Sequence, residues 1–311
     1  MALKFLDPKA DVTFKKIFGQ HPDLIKSFLN NLLPLPEGRV IESVTYLTPE
    51  QSPRIPTMKN TIVDVKCTDQ NGHIFIVEMQ MTWSASFYQR FLYGASKAYV
   101  HQLNAGKAYS TLCPVYGIAL INEIFEKGTP DWFHHYRLIN TKDMDKTLEG
   151  LELVFLELPK FTPTTFDHRK IGALWLRFLR ETGETLEAIP EEFKASPEIL
   201  KAMELAQESA YTKVELDLYD SYLDAIRVAK TIREDSYKEA EQEGERKLEQ
   251  VKQEGERKLE QAKQEGEKKL EQAKQETKRE MARKALNMGM AVESVRNLTG
   301  LPLEVIQSLL R

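Results

Sequence analysis

The 311-residue chain predicts an α/β fold, a mixed sheet flanked by helices, followed by a long helical arm and a small C-terminal helical module. Three observations carry that expectation. Up to about residue 160, short runs rich in Val, Ile and Phe are interleaved with segments whose apolar residues recur at three and four. The stretch Thr61–Met81, TIVDVKCTDQNGHIFIVEMQM, sets two apolar arms on either side of a polar Asp69-Gln70-Asn71-Gly72 turn, a β-hairpin signature. Finally, Glu243 to Glu276 carries a repeat of period eleven, EGERKLEQVKQ, EGERKLEQAKQ, EGEKKLEQAKQ, whose composition is helical.

Residues 8 to 33 open the fold with Phe14, Ile17 and Phe18, then Leu24, Ile25, Phe28, Leu29 and Leu32, a helical stripe that Gly19 to Pro22 breaks in two. Asp11 precedes the first apolar turn, where an N-cap accepting from the Phe14 amide is one reading. Val40 to Leu47 alternates as a first strand, and Pro49, Pro53 and Pro56 mark a loop before the hairpin. Phe87 to Leu103 reads as a helix closed by Asn104 to Gly106. Val115 to Ile121, VYGIALI, is apolar enough for an interior strand covered on both faces. Arg137 to Ile139 and Leu151 to Leu158 complete a mixed sheet of five or six strands. Residues 171 to 230 read as helices packed through Leu174, Trp175, Phe178 and Leu179, then Leu216, Leu218, Tyr219, Tyr222 and Ile226.

The hairpin's charge sets it apart. Asp64 stands between Val63 and Val65, and Glu78 between Val77 and Met79, so two carboxylates interrupt strands that otherwise look buried. A buried charge is costly unless something pairs it, and a divalent cation is one natural partner. Register decides whether the two can meet. A two-residue Asn71-Gly72 turn would set Asp64 opposite Met79 and leave the carboxylates on opposite faces. A three-residue loop, Gln70-Asn71-Gly72, puts Asp69 opposite His73 and Asp64 opposite Glu78, with Gly72 in the left-handed conformation that costs glycine least. The expectation is the odd-length loop, with Asp64, Glu78 and Gln80 on a common face.

The order Asp64, then Glu78-Met79-Gln80, resembles the PD-(D/E)XK nuclease core in its variant with Gln in place of Lys. Asp11-Val12-Thr13-Phe14-Lys15-Lys16-Ile17-Phe18-Gly19 upstream, and Arg90-Phe91-Leu92-Tyr93 through Gln102, Gly106, Tyr109 and Pro114 downstream, look like the bacterial recombination-promoting nuclease (Rpn) and transposase family over roughly residues 1 to 160. The resemblance implies a restriction-endonuclease-like fold and metal-dependent hydrolysis of DNA phosphodiester bonds, linked to recombination or transposition. Asp64 and Glu78 would ligate Mg²⁺ or Mn²⁺, and Gln80 would orient water or phosphate. Asp11 would face the hairpin and help hold the metal or its water, the alternative to its capping role. Gln80 is neutral, so it is neither a general base nor a source of positive charge.

Other chemistries lack support. The net charge of −4 supplies no global basic field, so nucleic-acid contact would rest on a local patch or a metal. Cys67 and Cys113 have neither disulfide-framework nor zinc spacing, which points to a reducing cytoplasm. The N-terminus lacks a signal-peptide run and no stretch reads as a membrane span. There is no glycine-rich phosphate loop to bind a nucleotide cofactor and no Gly-x-Ser-x-Gly elbow. His134-His135 would point apart on a strand and read as structural, and Asp143-Met144-Asp145 as a solvated loop.

The organisation expected is a nuclease-like domain at 1–160, a helical extension at 161–232, the repeat helix at 233–281 and a helix-turn-helix-like module at 282–311. Within the repeat, Gly244, Leu248, Val251, Gly255, Leu259, Ala262, Gly266, Leu270 and Ala273 form one stripe stepping by four and three. It suits either a solvated spacer helix or a homo-oligomer seam. Ala291 to Leu298 and Pro302 to Leu310 read as two short helices around Thr299-Gly300, a packing cap in preference to a DNA reader. Two other functions compete with the nuclease: an inactive oligomerising interaction protein, and a DNA-binding regulator using the C-terminal helices.

Overall fold

A computed structural model of the protein describes residues 3–51, 61–103, 106–163 and 170–309. The chain forms two compact units, Met1–Thr231 and Ile232–Arg311. The first opens with α1 (Asp11–Phe18) and α2 (Pro22–Leu32), followed by β1 (Val44–Tyr46), β2 (Glu50–Gln51), β3 (Thr61–Ile62), β4 (Val65–Asp69) and β5 (Ile74–Gln80). Then come α3 (Phe87–Val100), β6 (Val115–Ile121), β7 (Phe133–Asn140), β8 (Asp143–Glu157), α4 (Lys170–Glu181), α5 (Glu191–Lys194) and α6 (Pro197–Leu205). Six strands make one sheet in the order β1-β4-β5-β6-β8-β7, and β2 pairs with β3 in a separate ribbon. The centre, β5-β6-β8, is parallel and both flanks are antiparallel.

A parallel centre must be covered on both faces, and the residue pattern supplies two cores. On one face Val65, Phe75, Val77, Ile118, Val154 and Leu156 meet Phe14, Phe18, Phe28, Trp175 and Phe178 from α1, α2 and α4. On the other face Ile74, Ile76, Ala119, Leu153 and Phe155 meet Phe87, Phe91, Ala95 and Ala98 of α3. All seven residues of β6 are buried, as its unbroken apolar run requires. Gly117 lets α3 approach. A Cβ there would lie 2.8 Å from Leu153 Cδ2 and 2.9 Å from Phe91 Cζ, so any larger residue would lift the helix from the sheet.

Several elements differ from their sequence expectation. The first strand shrinks from Val40–Leu47 to Val44–Tyr46, because only these residues pair with β4. The strands expected at 137–139 and 151–158 are longer. A Thr141-Lys142 turn lets β7 and β8 continue pairing beyond the core, so Asp143-Met144-Asp145 lies in β8 and not in a loop. Burial ends before pairing does: β8 is exposed from Met144 to Glu149, so the alternation of Leu151–Leu158 marks only its buried portion, whereas in β7, exposed from Tyr136 onward, the sequence marks Arg137–Ile139 and misses the half-buried Phe133–His135. Pro53 and Pro56 lie outside the described residues.

α7 (Lys213–Asn287) starts in the first unit, where Tyr219 packs with Leu6, Ala10 and Tyr211. Its repeat segment belongs to the second unit. Leu248, Val251, Leu259 and Leu270 are exposed there, and Glu243–Lys247 and Glu254–Lys258 form ion pairs at 2.6 and 2.7 Å. Beyond it, α8 (Val292–Thr299) and α9 (Leu303–Ser308) close a small core of Ala282, Ala285, Val295, Leu301 and Ile306. Gly300 ends α8 in the left-handed conformation, φ +67°. Among the described residues α9 carries no basic side chain, and no helix is long and apolar enough to cross a membrane.

Candidate active site

The β4–β5 hairpin adopts the three-residue loop. Its ladder runs Val65↔Val77, Lys66↔Ile76, Cys67↔Phe75, Thr68↔Ile74, and the Asp69 amide donates to the His73 carbonyl oxygen at 3.2 Å. Gly72 has φ +82°. Asp69 holds the turn: its Oδ1 accepts from the Asn71 and His73 amides, both at 2.9 Å, and its Oδ2 lies 2.8 Å from His73 Nδ1. With the His73 proton assigned to Nδ1 by that carboxylate, Nε2 is left to accept from Arg39, which also donates to the Tyr116 hydroxyl at 2.6 Å. This buried chain fixes the register at one end of the hairpin.

At the other end the backbone ladder stops one step short of Asp64. Asp64 sits in a bend, and its Oδ2 accepts from the Met79 amide at 2.7 Å, so a side chain replaces the next ladder bond. Continuing the pairing by one residue makes Glu78 its opposite number. Glu78 is 9% exposed, and no hydrogen bond to its carboxylate occurs among the described residues. Burial, followed by the neighbouring Asp64 charge, pushes Glu78 up to about 7. Burial also raises Asp64, with Asp11 adding to the rise, while the Met79 amide, Lys15 and Arg90 oppose it. Two desolvated carboxylates therefore share one region, and the Asp64 charge makes Glu78 harder to ionise.

Gln80, two residues beyond Glu78 on β5, is held on both sides: its Nε2 donates to the Thr82 carbonyl and its Oε1 accepts from Arg90 Nη2, each at 2.5 Å. Asp11 is not an N-cap. Ala10 occupies that position, its carbonyl accepting the Phe14 amide at 2.8 Å, and Asp11 begins the helix itself, paired with Lys15 at 2.7 Å. Asp11 does reach the electrostatic environment of Asp64, and both act on Tyr222 of α7, whose hydroxyl burial raises first. Sequence reasoning missed Arg90 and Tyr222. The neutrality of Gln80 was a signal for the first, since it leaves a carboxylate pair without a cation; nothing local marked the second, which arrives from more than 140 residues away.

The histidines stand apart from this region. His134 Nε2 lies 2.8 Å from Glu157, and His135 Nε2 lies 2.9 Å from Glu152, on opposite faces as adjacent strand residues must be. Glu157 is fully buried; burial alone would raise it, but Lys160, His134 and the Phe125 and Glu126 amides hold it below the usual range. It is a satisfied structural carboxylate.

Among the described residues no three His, Cys, Asp or Glu side chains cluster tightly enough to enclose a metal. Asp64 and Glu78 are two oxygen donors that could hold a divalent cation retaining much of its water, the second lacking any hydrogen-bond donor among the described residues.

The model of the PD-(D/E)XK nuclease family transposases matches residues 8–236. The chain belongs to this family. The match reaches past residue 160, so α4 to α6 and the start of α7 lie within the transposase family's domain along with the hairpin. A mixed sheet with flanking helices is the restriction-endonuclease-like architecture expected of it. Neither the curated proteins nor the solved structures compared with the chain gave a match.

Proposed function

We propose that the protein is a metal-dependent DNA endonuclease of the PD-(D/E)XK type, serving recombination or transposition. The observation that carries the reading is the neighbouring pair of half-buried Asp64 and buried Glu78, at the end of the β4–β5 ladder, both raised above the usual carboxylate range. Asp64 and Glu78 would hold Mg²⁺ or Mn²⁺, which when bound supplies an acidified water and charge stabilisation at the scissile phosphate. Asp64 is fixed for this by the Met79 amide, which aims one oxygen and leaves the other available. Glu78, pushed up to about 7, would give up its proton near neutral pH to hold the cation. Gln80, locked between Thr82 and Arg90, presents an amide that can orient water or a phosphate oxygen but cannot abstract a proton. DNA is the substrate, and no nucleotide cofactor takes part.

Purified protein should nick supercoiled plasmid with Mg²⁺ or Mn²⁺ and not with EDTA. Asp64→Asn is the informative variant, because it keeps an acceptor for the Met79 amide that Asp64→Ala would orphan. It should reduce nicking by at least 10²-fold with an unchanged melting temperature. Undiminished nicking by Asp64→Asn would remove Asp64 from the mechanism, and a wild type inert with every divalent ion would favour the interaction-protein reading.

A further inference from the structure

The proposed nuclease reading leaves one requirement unmet. Phosphodiester hydrolysis builds negative charge on the phosphoryl oxygens, and a preorganised cation beside them is a large source of rate. Gln80 stands where the family's name has Lys and brings no charge. We propose that Arg90 is the missing cation: held by Gln80, its guanidinium binds a non-bridging oxygen of the DNA phosphate being cut.

The placement rests on four observations. Arg90 Nη2 donates to Gln80 Oε1, so the guanidinium is anchored to the residue that replaces the lysine. Its carbon lies 4.9 Å from the Phe87 ring centroid, and this ring is fully buried and therefore fixed. Stacking of this kind leaves the in-plane N–H groups directed outward. Among the described residues no carboxylate comes within ion-pair distance of Arg90, and the residue is exposed, so most of its five donors remain unspent. Its charge reaches both Asp64 and Glu78, which puts it at the carboxylate pair and not elsewhere on α3.

The other local lysines fit the role less well. Lys15 is committed to Asp11 at 2.7 Å. Lys66, on β4, influences neither carboxylate. Arg90 is thus the one cation near the pair that is both anchored and available among the described residues. A planar fork also suits two oxygens of a tetrahedral phosphate better than an ammonium does.

The test uses the full-length protein with Arg90→Ala, Arg90→Lys, and Arg90→Ala combined with Gln80→Lys. Binding of a short DNA duplex is followed by fluorescence anisotropy in EDTA across a salt series, and single-turnover cleavage is followed at saturating Mn²⁺. Arg90→Ala should weaken duplex binding, flatten the log K against log salt slope by about one, and slow cleavage by about 10²- to 10³-fold. Calorimetric Mn²⁺ affinity should not fall, because a repelling charge has been removed. Arg90→Lys should retain part of the slope, and Gln80→Lys should restore part of the rate lost by Arg90→Ala by returning charge from the neighbouring position. An unchanged salt slope in Arg90→Ala overturns the proposal, as does a loss of activity accompanied by a lowered melting temperature and no rescue by Gln80→Lys. A wild type that never cuts overturns the nuclease reading instead, and the salt slope still decides Arg90.

Discussion

Glu78 concentrates the conflict between folding and the proposed function in one side chain. Its carboxyl is shifted from 4.5 to about 7. The folded protein therefore holds this proton more tightly than the unfolded chain does, and stability falls as pH rises from about 4.5 to about 7. The cost of ionising it in the fold is on the order of 3 kcal/mol once the shift is converted. Glu78→Gln should remove that cost. In EDTA at pH 8 the variant should melt about 5 °C higher than wild type, with the gap closing by pH 4.5, while metal-dependent cleavage disappears. A variant no more stable than wild type at pH 8 would mean that Glu78 is relieved by groups other than a cation. Stabilisation by removal is expected of a functional carboxylate and not of a structural one such as Glu157, whose four donors satisfy it.

The hairpin is the element on which the site depends, and one glycine keeps its loop at three residues. Gly72→Ala puts a Cβ on a backbone at φ +82° and 3.3 Å from Cys113 Sγ, a change expected to cost about 1 to 2 kcal/mol. Urea denaturation should register that loss, with cleavage per folded molecule preserved, since Asp69 still closes the turn. A larger loss with inactive folded protein would mean that the ladder has slipped. The hairpin was also the most legible part of the sequence: Asn-Gly and two alternating arms specify the register of Val65–Thr68 against Ile74–Val77, and Asp64 follows one residue beyond that ladder. The role of Asp11 was ambiguous, because a cap and a first-turn residue differ by one position in sequence and by a whole set of hydrogen bonds in space. The outer half of β8 was illegible for another reason. Its Met144–Glu149 segment lies in the strand without burying a face, so periodicity had nothing to record. Arg90 could be seen in the sequence, but its bond to Gln80 depends on α3 lying over β5, a tertiary fact.

At the scale of the molecule, the first unit carries both cores and the whole candidate site, and the family match ends at residue 236, close to its boundary at Thr231. A chain of residues 1–236 should unfold cooperatively and retain Mg²⁺-dependent nicking; loss of the folded state would assign residues 237–311 a part in folding. Leu248, Leu259 and Leu270 are more than half exposed in the single chain, and a solvated helix has no need to keep them in register. Changing all three to Glu should lower the sedimentation coefficient of the full-length protein, and an unchanged value would leave the repeat as a spacer. The hairpin also has a consequence in time. Its strands meet across a three-residue loop, whereas β5 reaches β6 only after α3 has been threaded between them, a much longer closure. Asp64 and Glu78 can therefore meet while both are still hydrated, and their desolvation is deferred until the parallel strand and helix dock. Pulsed hydrogen exchange during refolding should protect the Cys67 and Phe75 amides before that of Ile118. The reverse order would mean that the carboxylates are assembled inside an already closed sheet, against their full mutual repulsion.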